Sequence, residues 1–260
     1  MPTAQVAEGD LSQPVATRLY LPADLTRAAA ITLDTAHAHK LRNVLRLGDG
    51  AAVAVFNERD GEWLCRLGEQ GRKSAILMPI EQRRPPRLES DLWLLFSPVK
   101  RARLDWMVEK ATELGVGALV PVWTARTQSE RLNLERLHAL AVSAAEQSER
   151  LSVPEIREPL KLGRLLAAWP AERRLVLCDE SGGGLPIAEA LADWAPATPC
   201  AVFVGPEGGF TETELDALGK LPFVNRVGLG PRVLRAETAA LAALAVLQAI
   251  AGDWSRPRTR

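Results

Sequence analysis

The chain's architecture follows from fourteen consecutive residues, Ala201-Val-Phe-Val-Gly-Pro-Glu-Gly-Gly-Phe-Thr-Glu-Thr-Glu214. The opening run of four apolar residues has no polar alternation and predicts a strand buried on both faces. A loop of three glycines and one proline follows, and Thr211-x-x-Glu214 is a capping box that opens a helix. Strand, glycine loop and capped helix together form the repeating unit of a parallel α/β sheet. Such sheets take their ligands at the carboxyl ends of the strands, where loops of this kind stand.

The surrounding sequence repeats the unit. Buried-strand runs recur at Leu92–Phe96, Ala118–Val122, Leu175–Cys178 and Phe223–Val227. Amphipathic helices lie between them. Leu104, Met107, Val108, Ala111 and Leu114 share one face before Gly115, and Leu134, Leu137, Leu140, Ala141 and Ala144 behave likewise. Before residue 90 the texture differs. Thr17–Leu21, Ala51–Phe56 and Ser74–Met78 read as short strands separated by turns such as Gly48-Asp-Gly50 and Asp60-Gly61. One helix, about Thr35 to Arg46, interrupts them, which predicts a small β-barrel with a helix. The polar, proline-bearing stretch Glu81–Ser90 reads as the exposed connection, so the expected domains are 1–86 and 87–260.

Composition excludes several classes. The chain has 260 residues, 47% hydrophobic and 25% charged, which are ordinary globular values. Its 32 Lys+Arg balance 32 Asp+Glu, and residues 1–90 hold 12 and 11 of them, so no global field drives polyanion binding. Cys65, Cys178 and Cys200 are too widely spaced for a zinc cluster and odd in number for a disulfide framework. Glu8 and Asp10 stand where a signal peptide is basic and apolar, and the run Ala239–Ala251, broken by Gln248, is too short to span a bilayer. The expectation is a cytoplasmic protein with no membrane partner and no metal. His37 and His39, two apart on a helix, point in different directions. Trp93, Trp106, Trp123, Trp169 and Trp194 sit in or beside apolar runs and are expected to fill cores.

A second glycine-proline loop, Leu229-Gly-Pro-Arg-Val-Leu-Arg-Ala-Glu-Thr238, again follows a strand and precedes a helix. It crowds Arg232, Arg235 and Glu237 onto a few residues. Neither loop has the GxGxxG spacing of a dinucleotide fold or the GK[ST] ending of a phosphate loop. Two such loops on one sheet suggest one pocket.

The pair GPEGGFTETE and LGPRVLRAETAAL, with SPVKRARLDWMVEKATELGV and AAEQSER upstream, resembles the RsmE family of ribosomal small-subunit RNA uridine-N3 methyltransferases. These enzymes belong to the knotted SPOUT class. HAHKLRNVLRLGDG is similar to that family's N-terminal PUA-like barrel. The resemblance implies a C-terminal α/β domain with a trefoil knot, a homodimer, and S-adenosylmethionine bound among the knot loops. The substrate implied is N3 of one uridine of 16S rRNA in the assembled small subunit. Carried over by motif, the cofactor would meet Gly205, Pro206, Glu207 and Gly208, then Leu229, Gly230, Arg232, Val233 and Leu234, with Leu177 at a neighbouring strand end and Thr238 heading the last helix. Arg235 would stabilise the developing oxyanion at uracil, and Glu237 would orient that arginine or accept the proton; helix N-terminal salt bridging and capping are the plainer uses of Glu237 and Thr238. Lys100, Arg101 and Arg103, with Arg42 and Arg46 of the barrel, would contact RNA phosphates; a solvated helix start is the plainer use of the first three. Arg83, Arg84 and Arg87 of the connection are further phosphate candidates. The family commonly reads EQCGR where this chain has Glu146-Gln-Ser-Glu-Arg150, so Ser148 and Glu149 depart from the pattern. The alternatives are another SPOUT-class ribosomal or transfer RNA methylase, and a non-catalytic RNA-binding protein.

Overall fold

The computed structural model describes residues 14–69, 75–87, 89–128 and 131–254. Glu8, Asp10 and Ser74, named above, lie outside these residues. The chain divides into two compact units, Met1–Leu88 and Glu89–Thr259.

The first unit is a curled five-stranded sheet. It is built from β1 (Thr17–Tyr20), β2 (Ile31–Thr32), helix α1 (Thr35–His39), β3 (Ala52–Asn57), β4 (Gly61–Glu69) and β5 (Ala75–Arg84), in the spatial order β1-β3-β4-β5-β2. Asp34 caps α1 by accepting from the His37 amide, and the helix then widens into a π-turn over Lys40–Val44, where a plain helix was expected. Strand β3 is buried along its whole length, and Val53 and Val55 join Leu19, Leu41, Cys65 and Leu77 in the core. Two expectations are corrected here. The strand β4 was not foreseen: Trp63, Cys65 and Leu67 alternate with Glu62 and Arg66, but Leu64 breaks the period. Residues Glu81–Arg84, read as connection, continue β5, since Arg84 donates to Glu62 across β4 at 2.7 Å.

The second unit alternates strands and helices as expected. In chain order these are β6 (Leu92–Phe96), α2 (Arg101–Glu113), β7 (Ala118–Trp123), α3 (Leu134–Gln147), β8 (Glu155–Ile156), β9 (Leu160–Lys161), α4 (Leu162–Ala167), β10 (Arg174–Cys178), β11 (Leu185–Pro186), α5 (Ile187–Ala190), β12 (Cys200–Val204), α6 (Glu212–Gly219), β13 (Val224–Gly228) and α7 (Ala236–Ile250). The sheet is parallel, in the order β11-β13-β10-β12-β6-β7-β8. Strand β12 thus enters between β6 and β10, β13 comes down on the far side of β10, and α7 packs back over β12, β10 and α2. The resemblance implied a knotted SPOUT architecture, and the second unit has the parallel α/β sheet which that architecture requires. Both faces are covered. Val176, Val202 and Leu94 pack under α2, α5 and α7, while Leu175, Leu177 and Phe203 pack with Leu165, Leu215 and Leu218 on the other side. The capping box is as the sequence predicts: Thr211 Oγ1 accepts from the Glu214 amide, and Glu214 accepts from the Thr211 amide.

The tryptophans are less uniform than expected. Trp194 is buried, and Trp169 stacks on Phe223 and meets Trp93 edge-on. Trp106, on α2, is 44% exposed and fills no core. Among the described residues, no helix is long and apolar enough to cross a membrane, and no cluster of His, Cys, Asp or Glu could hold a metal ion.

Candidate functional site

Strands β10, β12 and β13 run parallel, so the loops that leave them emerge at one edge of the sheet. Together with the start of α7 and Arg103 of α2 they enclose a cleft of about 550 Å³, within the range of small-molecule sites. Gly205, Pro206 and Glu207 of the first glycine-proline loop line it, as do Leu229, Gly230, Arg232, Val233, Leu234 and Arg235 of the second. The two loops named from sequence therefore meet in one place.

Four expected residues do not line it. Leu177 is fully buried and packs beneath α6, because neighbouring residues of a strand point to opposite faces; Cys178 takes the cleft side. Gly208 turns outward, and its carbonyl accepts from Arg126 Nη1 at 2.8 Å. Thr238 is exposed on α7. Glu237 is buried just beneath the lining. Its Oε1 lies 3.6 Å from Arg103 Nε, and its Oε2 has no hydrogen-bond partner. Arg103 also lies 3.6 Å from Glu207, so it reaches carboxylates associated with both loops. Lys100 and Arg101, at the same helix start, remain exposed. In the first unit, Arg42 donates to the carbonyls of Leu47 and Gly68 at 3.1 Å and pairs with Asp49. Arg46 is exposed, with a left-handed φ of 54°.

A third wall escaped the sequence reading: Cys178, Asp179, Glu180, Ser181 and Gly182 also line the cleft. The signal was there, in the run Ser181-Gly-Gly-Gly184 directly after a buried strand. The Asp179 carboxylate accepts from Arg226 Nη2 at 2.6 Å and from the Ser181 amide at 2.9 Å. Burial pushes its pKa up, but the Ser181 and Arg226 hydrogen bonds prevail and hold it below the ordinary carboxylate range. The Cys178 thiol is pushed up to about 12 by burial and by Glu180, which leaves it a neutral wall. Gly209 fixes the junction of two walls. Its φ is +68°, and a Cβ there would stand 1.8 Å from Glu180 Oε1. Opposite, Gly230 has φ +96° and open space where a Cβ would be.

Residues 86–248 match the profile of an RNA methyltransferase domain, and residues 37–78 match an RNA methyltransferase PUA domain. A ribosomal RNA small subunit methyltransferase E from Rickettsia conorii is 32% identical over 235 residues, covering 88% of this chain and 93% of its own. The crystal structure of a protein of the same name from Neisseria gonorrhoeae, bound to S-adenosyl methionine, is 30% identical with a TM-score of 0.77, over 92% of this chain and 99% of that one. A methyltransferase structure from Legionella pneumophila in complex with the cofactor SAM is 27% identical with a TM-score of 0.78, over 91% and 98%.

Proposed function

The chain belongs to the ribosomal RNA small subunit methyltransferase E family, and from that premise we propose that it methylates N3 of one uridine of 16S rRNA in the assembled small subunit. The cofactor is S-adenosylmethionine. One observation carries the reading: the loops after β10, β12 and β13 converge on a single cleft.

The residues present suit this cofactor. Leu229, Leu234, Ala236 and Ala239 offer apolar surface for an adenine ring, and Gly205 and Gly230 let backbone come close to it. Glu180 and Glu207 put negative charge beside a positive sulfonium, while Arg103 and Arg232 could take a carboxylate. When bound, S-adenosylmethionine supplies an electrophilic methyl group. The protein has the remaining tasks. N3 of uracil lies within the Watson–Crick face, so the base must be unpaired and turned outward before it enters the cleft. Its proton must leave, and the charge then spreads to the flanking carbonyl oxygens. Arg235 is assigned to that charge as a preorganised cation. Glu237 offers Oε2, a buried acceptor without a partner, for the proton. Arg103, rather than Arg235, is the cation beside this carboxylate, so proton acceptance is the role assigned to Glu237.

The first unit, through residue 86, is assigned to RNA docking and residues 87–260 to catalysis. Lys100 and Arg101, exposed at the start of α2, are the phosphate contacts best placed for it, with Arg46 of the first unit; Arg42 and Arg103 contribute what their ion pairs leave over. A homodimer working in the cytoplasm completes the proposal. The test incubates the protein with labelled S-adenosylmethionine and either naked 16S rRNA or small subunits from cells lacking the modification. The expected outcome is base N3-methyluridine at one position, formed in assembled subunits. A ribose-methylated product, or transfer to naked RNA alone, overturns the assignment.

A further inference from the structure

The first glycine-proline loop is held from outside the cleft by a turn that belongs to neither glycine loop. After β7 the chain bends at Thr124–Thr127. Arg126, at the tip, donates from one nitrogen, Nη1, to the carbonyls of Gly208 at 2.8 Å and Phe210 at 3.3 Å. The adjacent Ala125 amide donates to Glu214 Oε1 at 2.8 Å, while Glu214 Oε2 accepts from the Thr211 amide at 2.9 Å. One carboxylate thus ties the turn to the capping box of α6.

The base of the turn is itself rigid. Thr127 Oγ1 accepts from the Thr124 amide at 2.9 Å, the two threonine hydroxyls share a hydrogen bond at 2.9 Å, and Thr124 Oγ1 meets the buried Ser97 hydroxyl at 3.1 Å. Ser97 in turn donates its amide to Val204, the last residue of β12. The arginine therefore stands on a fixed frame and grips a loop that starts from the same frame. Between its two carbonyl contacts and Val204 lie Gly205, Pro206 and Glu207, which face the cleft, closed by a turn in which the Gly209 amide donates to Pro206.

We propose that Arg126 is a positioning residue for the cofactor: it fixes the outer side of the loop Gly205–Phe210 so that the inner side is already shaped when S-adenosylmethionine arrives. The inference rests on the cofactor reading above. Preorganisation of this kind appears as affinity, because a loop left free must be ordered on binding. Arg126 does not touch the cleft, so its removal acts through the loop alone.

Calorimetry with S-adenosylmethionine tests this on wild type, Arg126→Met, which keeps the apolar stem and loses every donor, and Arg126→Lys, which restores the charge and one donor group. Arg126→Met is expected to weaken binding by about tenfold, with the unfolding midpoint nearly unmoved and KM for the cofactor rising more than kcat falls. Arg126→Lys is expected to recover part of the loss. Wild-type affinity in Arg126→Met overturns the inference, as does a lowered midpoint with unchanged affinity. Should Arg126→Met not fold, Arg126→Lys decides in its place: weaker binding than wild type supports the inference and equal binding overturns it. Failure of the wild-type protein to bind at all would remove the cofactor reading and this inference with it, whereas unchanged affinity in the variants removes this inference alone.

Discussion

Arg235 and Glu237 carry the chemistry assigned to the cleft, and the arginine makes the sharper expectation. Arg235→Ala should lower kcat by about a hundredfold, the size typical of a lost oxyanion partner, while leaving S-adenosylmethionine affinity within about twofold. Turnover at the wild-type rate would remove the arginine from the mechanism. Two adjacent glycines separate turn geometry from ligand approach. Gly208→Ala places a methyl group 3.5 Å from Arg126, an ordinary contact, and should bind cofactor as wild type does. Gly209→Ala combines a φ of +68° with a Cβ against Glu180, so a loss of about 1–3 kcal/mol of stability and of measurable affinity is expected. Equal behaviour of the two variants in melts and calorimetry would show that the junction is slack. From sequence both glycines looked alike, since composition reveals that a loop can bend but not which side of it meets a ligand. Leu177 and Cys178 teach the same lesson for strands. The run was legible as buried, but which of its two alternating faces met the cleft depended on the loop beyond.

At the level of elements, the end of helix α3 shows what the departure of Glu149 from the family pattern costs. The Arg150 amide donates to Ala145, which closes the helix with Glu149 in the left-handed region at φ 61°. Glycine is at ease there and glutamate is strained, so Glu149→Gly should raise stability by about 1 kcal/mol, or about 2–4 °C in melting temperature. An unchanged or lower melting temperature would mean that the contacts of the glutamate outweigh its strain. Strand β4 offers a pH test. Glu62 accepts from Arg18 and Arg84, both at 2.7 Å, and so stitches β1 and β5 to β4. Burial raises its pKa, but the two guanidiniums outweigh that and hold it below the ordinary glutamate value. A carboxylate lowered by folding adds stability above its unfolded pKa, about 4.3, and that stability drains away as pH falls through the folded value. Glu62→Gln should therefore cost on the order of 2 kcal/mol at pH 7 and progressively less below pH 4. A gap between the two proteins that does not narrow in acid would exclude this pair as its source. Strand β4, with its mixed charged and apolar residues, was hidden in the sequence, whereas β6, β10 and β12 announced themselves as apolar runs.

Across the whole molecule, three cysteines share one condition. Cys65, Cys178 and Cys200 are free and buried, and burial pushes each thiol up to about 12. The native protein at pH 8 should leave a thiol reagent unreacted, and three equivalents should appear on unfolding in guanidinium. A rapid native signal would locate an opening motion near one of them. Net charge is zero, so RNA attraction has to come from local clusters and should weaken with added salt in proportion to the phosphates they neutralise. The alternation of strand and helix was legible over the second unit because each element buries its own pattern. The order of strands in the sheet was not, since no run of residues carries the address of its neighbour. That order has a consequence for manufacture. Leu92 aligns with Cys200, and β12 fills a slot between β6 and β10, both of which precede it in the chain. A chain released in the interval leaves β6 and β10 with bare edges, which readily recruit strands from other polypeptides. Premature termination here yields sticky debris rather than a smaller working enzyme, and a cell making this protein depends on finishing each copy.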